Sequence, residues 1–277
     1  MRQKMVNKKI EKITRIEEMN WKQIDVLNRN TTIFFLPISP LEEHGPHLPV
    51  GTDVFITEAV AKEAMKSLKK KKKNVFPVLL PTLFLGYSGL TQGFPGTFSV
   101  DARAIEDVIF GITYSLGKHG FRYMLLCTYH MDPFYLKAIH KGLNKAMSKS
   151  PIRVSEPISS YFYRRKKGEK KDIHAGAEET SIMCYLYPYL VDESYKTLHS
   201  YQLISFSLRD YRKTFKELGA VNGYIGEPGE ASIDHGKKLF TELVELYVNA
   251  AIDLYSGKSP PSIPKTIKWL PFFMQRK

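Results

Sequence analysis

Cysteine is scarce in this 277-residue sequence, and no apolar run is long enough to cross a bilayer. The two cysteines, Cys127 and Cys184, lie in the apolar stretches MLLCT and IMCYL. That excludes a disulfide scaffold and fits buried thiols in a reducing compartment. The longest apolar stretch, Val75 to Leu85, is short and is interrupted by Pro77 and Pro81, so no membrane partner is expected. The opening MRQKMVNKKIEKITRIEEMNW lacks the apolar core of a secretory signal. A cytoplasmic location is the resulting expectation. Also missing are Walker-type or dinucleotide-type glycine loops, helix-turn-helix, RNP and zinc-finger patterns.

Acidic residues are in deficit: 28 Asp and Glu against 41 Lys and Arg give a formal charge of +13. A surplus of this size raises nucleic acid or an anionic surface as a partner. The cations concentrate, however, in Lys69–Lys73, in Arg164–Lys167 with Lys170 and Lys171, and at Arg276–Lys277. Such runs are usually solvated loops, and with the recognition motifs missing a nucleic-acid partner is not expected. What remains is ordinary globular material, 43% hydrophobic and 12% aromatic, which excludes disorder for most of the chain.

Strand-like and helix-like segments alternate. Residues 32–38 (TIFFLPI) form a compact apolar run suited to a strand covered on both faces. Ile56, Val60, Ala64 and Leu68 then mark one face of a helix. A strand is expected over Val75–Leu80, and a helix over the Ile105, Val108, Ile109, Ile112, Leu116 stripe. A further strand is expected at Tyr123–Thr128, with a weaker one at Ile152–Ile158. Helices are expected at Glu178–Tyr187 and around Leu239 to Leu254. This alternation predicts an α/β fold with a mostly parallel sheet and helices on both faces. Residues 1–257 read as one domain. The tail 258–277 is proline-rich, then aromatic, and is expected to lie extended over the body or a neighbouring subunit.

The segment after the first strand, SPLEEHGPHLPVGTD at residues 39–53, holds Glu42, His44, His47 and Asp53 within twelve residues. Ligands gather beyond the carboxyl ends of parallel strands, and carboxylate with imidazole suits Zn, Mn or Fe. Prolines 46 and 49 stiffen the loop, and Gly45 and Gly51 allow sharp bends. By spacing alone a surface loop with Asp53 as a helix cap stays equally open. His130 and Asp132 stand at the end of the third strand, in the same topological place. In DIHAGAEETS, His174 precedes a helix whose first turn holds Glu178 and Glu179, a pattern that simple capping also produces.

Together these motifs resemble the creatininase (creatinine amidohydrolase) family. LPISPLEEHGPHLPVGTD is similar to its EQHGPHLPxGTD signature, FPGTFSVD (94–101) to its FPGT segment, and DIHAGAEETS to its HAGxxETS motif. Gly226-Glu227-Pro228, followed by Ala231 and Gly236, resembles a late GxP…A…G stretch. The resemblance implies a three-layer α/β/α sandwich, assembled as a homo-oligomer, usually a hexamer. It also implies hydrolysis of a small-molecule amide (cyclic amide, formamide or peptide-like) through a metal-activated water. Two divalent ions per chain are implied, Zn, Mn or Fe. Glu42, His44, Asp53, His130 and Asp132 stand at ligand positions, Asp53 at that of the bridging carboxylate. His174 and Glu179 stand at catalytic positions, and Ser88 and Tyr129 near substrate-contacting ones.

The sequence departs from the family pattern around His130, where NGHGGN is here TYHMDP, and at Asp132, one methylene shorter than glutamate. It departs also at Thr91, where the family often has histidine, and at Glu43, where glutamine is usual. These changes keep one alternative in view, a degenerate family member serving as a binding or scaffold protein.

Overall fold

The computed structural model describes residues 13–162, 172–203 and 205–276. The basic run Arg164–Lys171 and Lys277 lie outside the described residues. In chain order the elements are α1 (Trp21–Asp25), β1 (Thr32–Pro37), α2 (Thr52–Lys71), β2 (Phe76–Leu79), α3 (Ala102–Lys118), β3 (Tyr123–Cys127), α4 (Pro133–Met147), β4 (Arg153–Ser155), α5 (Ile158–Phe162), α6 (Ala177–Leu186), α7 (Ile233–Tyr255) and α8 (Lys265–Lys268).

The four strands form one parallel sheet in the order β2-β1-β3-β4. Every side chain of β1 is buried, because helices cover both faces of the sheet. Ile33 and Phe35 join a core with α2, α6 and α7 residues such as Ile56, Val60, Ile182, Leu243 and Tyr247. Phe34 and Leu36 point the other way, into a core with Ile105 and Ile109 of α3 and Phe134 and Ile139 of α4. This period-two split is what an apolar run becomes when a strand sits at the centre of a three-layer sandwich. Where α6 meets α7, a Cβ on Gly236 would fall 1.9 Å from the Ser181 carbonyl oxygen. The two helices therefore pack backbone to backbone. Among the described residues no helix is long and apolar enough to cross a membrane.

Two segments differ from the sequence expectation. Residues 133–147 form a long helix, α4, that was not anticipated. Its start is set by Asp132, whose Oδ1 accepts from the amides of Phe134 (2.8 Å) and Tyr135 (3.1 Å), with Pro133 in the first turn. The weak strand candidate at 152–158 splits. Only Arg153–Ser155 pairs with β3, and buried Glu156 then caps α5 through the amides of Ile158 and Ser159. The tail folds back on α4, where Ile267 and Leu270 are buried among the residues of that core.

The connection β1–α2–β2 runs to one side of β1 along one face, whereas α3 crosses the other face to β3 on the opposite side. The loops leaving β1 and β3 thus part at a topological switch point, where open parallel sheets leave a crevice.

Candidate metal centre

The floor of this crevice is pinned by buried hydroxyls. Ser39 Oγ lies 2.9 Å from Thr57 Oγ1 and 3.2 Å from Thr128 Oγ1, and Tyr135 donates to the Ile38 carbonyl at 2.9 Å. Tyr247 of α7 donates to the Thr128 carbonyl (2.9 Å) while its oxygen accepts from the Thr128 amide (3.0 Å). Each such bond contributes about 1 kcal/mol net, and together they fix the ends of β1 and β3 against each other. Gly45, with φ +68°, turns the loop after β1 in the left-handed region. Ala175 adopts φ +49° without that freedom, a strained residue beside His174.

On this floor the structure gathers Glu42, His44, Asp53, His130, His174 and Glu179, all buried except the half-buried Glu179. Three sets of donor atoms come within 4.8 Å of one another: Glu42, Asp53 and His130; His44, Asp53 and Glu179; and Glu42, His44 and His174. Asp53 sits in the first turn of α2, where the helix N-terminus favours a carboxylate. The strand end, the helix start and the α6 start therefore converge on one point.

The three histidines share one arrangement. A carbonyl can only accept, so each ring donates from the nitrogen that faces one. His44 Nδ1 faces the Glu42 carbonyl (2.9 Å), His130 Nε2 that of Tyr87 (2.9 Å) and His174 Nε2 that of Glu43 (2.7 Å). The remaining nitrogen in each ring is aimed at carboxylates. His130 Nδ1 lies 3.0 Å from Glu42 Oε1 and 3.2 Å from Asp53 Oδ2; His44 Nε2 is 3.3 Å from Asp53 Oδ1; His174 Nδ1 is 3.9 Å from Glu42 Oε1. Backbone carbonyls that fix the tautomer and aim the free nitrogen are how metal-binding histidines are held.

The electrostatics call for positive charge. Burial works against a charged imidazole, yet Asp53, Glu179 and Glu42 override it and push His44 up to about 10. His174 rises to about 9 against burial and the neighbouring His44, through Glu43 and Glu42. His130 is held well above its ordinary value by Glu42 and Asp53, again against burial. Glu42 is pulled far below the usual carboxylate range despite burial, mainly by His130. His44 Nε2 and Asp53 Oδ2 nonetheless make no hydrogen bond. Buried polar groups without partners are costly, and cations on the two sides of Asp53, one toward His44 and one toward His130, would satisfy them. The donor set, carboxylate and imidazole without thiolate, fits Zn or Mn.

The remaining sequence candidates fall around this cluster. Asp132 is buried but belongs to none of the three donor sets among the described residues. Its carboxylate caps α4, and burial pushes it up to about 6. His47 also stays outside, with Nε2 2.8 Å from Thr180 Oγ1. Glu179, expected as a proton-transfer acid, lies with His44 and Asp53, its Oε2 accepting from the Ala175 amide at 2.5 Å. Ser88 is buried with an unpartnered Oγ. Beside it, Thr91 donates to Glu42 Oε2 at 2.9 Å and so occupies the second oxygen of that carboxylate. The Tyr129 phenol is buried, and burial followed by Glu179 raises it well above its usual value. Glu43 is buried beside His174, at 3.4 Å, with Oε1 unpartnered and Oε2 accepting from the Gly45 amide.

Sequence reasoning missed the groups that cover the site. Phe215 packs on the His174 ring at 5.3 Å, Tyr211 packs on Phe134 at 5.5 Å, and Tyr87 stands behind His130. They come from loops and a short 3₁₀ turn, Leu208–Arg212, too brief to carry a periodic signal. A separate cavity of about 780 Å³ opens at the free edge of β4, between Ser155, Tyr161, Glu242 and Asp253. It contributes no side chain to the three donor sets.

Comparison with known proteins places this geometry. The family model for creatininase (creatinine amidohydrolase) matches residues 17–251. A creatinine amidohydrolase from Pseudomonas putida is 26% identical over 197 residues, 64% of this chain and 73% of that protein. A mycofactocin precursor peptide peptidase from Mycolicibacterium smegmatis is 26% identical over 222 residues, 79% of this chain and 83% of its own. Among solved structures, a manganese creatininase superposes with TM-score 0.70 at 23% identity, covering 88% of this chain and 99% of its own. A Zn–Zn form of a creatininase mutant reaches 0.71 with the same identity and coverage. The predicted α/β/α sandwich is thus the observed one, and the chain belongs to the creatininase family of metal-dependent amidohydrolases.

Proposed function

We propose that this hydrolase holds two divalent ions per chain, one on Glu42, Asp53 and His130 and one on His44, Asp53 and Glu179. The observation that carries this reading is the membership of Asp53 in both donor sets, one carboxylate oxygen toward each. Bound there, the ions supply Lewis acidity, which acidifies water and polarises a carbonyl. Glu179 serves as a ligand in this assignment, and the proton for the departing nitrogen is held by His174. Its Nε2–H is fixed on the Glu43 carbonyl, and its Nδ1 faces Glu42. That Nδ1, 3.9 Å from Glu42 Oε1, is the ring atom on the side of the donor cluster, from which an imidazole can pass a proton. Phe215 covers the ring and excludes water from its face, while Thr91 keeps Glu42 from swinging out of the site. Asp132 acts from outside the donor sets, by starting α4 and so placing the turn that carries His130.

The substrate is a small cyclic amide, formamide or peptide-like amide. Unpartnered Ser88 Oγ and the buried Tyr129 are the groups placed to meet it. Mn and Zn are the favoured metals, with Fe admitted by the same donors. Residues 1–257 act as the catalytic unit and 258–277 as its tail. A homo-oligomer, a hexamer by family resemblance, in the cytoplasm completes the reading, with exposed Trp21, Val26, Trp269 and Phe273 the apolar side chains available to a contact between copies.

The test is chelation and reloading. Stripped protein should neither open cyclic amides nor release amine from formamides and short peptides, and Mn²⁺ or Zn²⁺ should restore turnover. Activity that survives stripping, or a protein that takes up no metal, would overturn the reading and favour the scaffold alternative.

A further inference from the structure

The tail reaches the residues that support and cover the metal centre. It is anchored on α4 by Ile267 and Leu270, both buried, and by Lys137, which donates to the Leu270 carbonyl. From that anchor it runs to Arg276, which meets two segments at once. On one side its carbonyl accepts from the Tyr87 hydroxyl at 3.1 Å. Tyr87 is 2% exposed, and its own carbonyl receives His130 Nε2. On the other side the Arg276 guanidinium pairs with Glu217 and donates to the Arg212 carbonyl at 3.3 Å. Arg212 returns a bond to the Phe273 carbonyl, also 3.3 Å.

Glu217 is itself the clasp of a tight turn. Its Oε2 accepts from the Thr214 amide (2.6 Å) and hydroxyl (3.0 Å). Phe215 lies inside that turn, 4% exposed and packed on His174. Its amide donates to the Leu90 carbonyl at 2.6 Å, which ties the turn to the loop that carries Tyr87. One residue of the tail therefore connects the support of His130 with the cover of His174.

We propose that Arg276 is a positioning residue, holding Tyr87 and the 212–217 turn in register so that His130 and His174 keep their places about the metal centre. The inference rests on the metal assignment above for its consequence, but not for the linkage itself. Backbone carbonyls that receive a ligand histidine set its orientation and basicity. The Tyr87 carbonyl is only as fixed as its residue, and that residue is held at the other end by the tail. The individual contacts are modest. Their joint loss frees a covering segment whose own packing rests on few groups, chiefly Phe215, Tyr211, buried Thr214 and Lys216 over the Phe94 ring.

The experiment compares Arg276→Ala, Arg276→Lys and Tyr87→Phe with the unaltered protein, using two readouts. Limited trypsin digestion measures cleavage at Arg209, Arg212, Lys213 and Lys216, scaled to cleavage in Lys69–Lys73. Co²⁺ titration measures affinity and the visible absorption bands, which report the ligand field. Arg276→Ala should raise cleavage in the turn by about tenfold, weaken Co²⁺ by about tenfold and shift its bands. Arg276→Lys, which can still pair with Glu217, should recover most of both. Tyr87→Phe should shift the bands with a smaller rise in cleavage. Unchanged cleavage in Arg276→Ala overturns the linkage. Raised cleavage with wild-type Co²⁺ affinity and bands overturns the positioning role. If unaltered protein takes up no Co²⁺, the metal assignment fails, and the linkage is judged by cleavage alone.

Discussion

The floor and the roof of the centre are built differently. On the floor, Glu42, His44, Asp53 and His130 stand at strand ends and a helix start, buried and tied by backbone carbonyls and hydroxyls within the sandwich. The roof is made from loops and short 3₁₀ turns near residues 83–101, 206–217 and 270–276. Several of its ties reach solvent, as in the Arg276–Glu217 pair, whose side chains are 31% and 52% exposed. Partly exposed pairs of this kind contribute little each, so the roof is held by many weak ties where the floor is held by buried ones. The difference teaches where the donor atoms come from: the floor residues stand on the sandwich, and the roof reaches the cluster through the Tyr87 carbonyl on His130, the Thr91 hydroxyl on Glu42 and the Phe215 ring on His174.

The largest expected effect comes from the point where floor meets roof. His174→Ala should lower kcat by about 10²–10⁴-fold, the range for a lost proton donor, with both ions retained. Metal analysis beside steady-state kinetics checks this. Loss of an ion in that variant would move His174 into the ligand set and erase its distinction from the floor.

The floor was legible in the sequence because its chemistry is local. Glu42, His44 and Asp53 lie within twelve residues, stiffened by Pro46 and Pro49, and the strand that presents them is a continuous apolar run. His130 and His174 were placed by strand ends and by motif. The roof was not legible, since Phe215, Tyr211 and Arg276 meet their partners through contacts between segments far apart in sequence. The helix α4 was hidden for a related reason. Asp132 was read as a ligand position, and a carboxylate there serves equally as the cap that starts a helix. Chemistry and local structure compete for the same side chain, and in the fold the cap is what its Oδ1 does.

A smaller effect separates charge from metal. In stripped protein, His44 and His174 are raised from an ordinary 6.5 to about 10 and about 9. A raised folded-state value means their protonation stabilises the fold fully below about pH 6.5, and that this contribution is lost as pH climbs through 9 to 10. A bound ion takes the place of the proton on His44, a ligand in this assignment, and offsets the carboxylates that hold the one on His174. The gap in Tm between loaded and stripped protein should therefore widen from pH 6 to pH 10. A gap that narrows over this range would show that the histidines are not held by the carboxylates as described.

The smallest effect sharpens the position of Asp132. Asp132→Asn keeps an oxygen to cap α4, so stability should change by less than about 0.5 kcal/mol, with full metal content. Asp132→Ala, which removes the cap, should cost about 0.5–2 kcal/mol. Denaturant unfolding with metal analysis reads both, and an ion lost in the asparagine variant would return Asp132 to the floor.

The central claim is that Asp53 serves two ions at once, and the metal stoichiometry of Asp53→Ala tests it most directly. The unaltered protein should hold two equivalents of Mn²⁺ or Zn²⁺ per chain by elemental analysis after dialysis. The variant should fall below one equivalent and lose turnover, since both donor sets lose a carboxylate together. Retention of two ions, or of full activity, in Asp53→Ala would contradict the account.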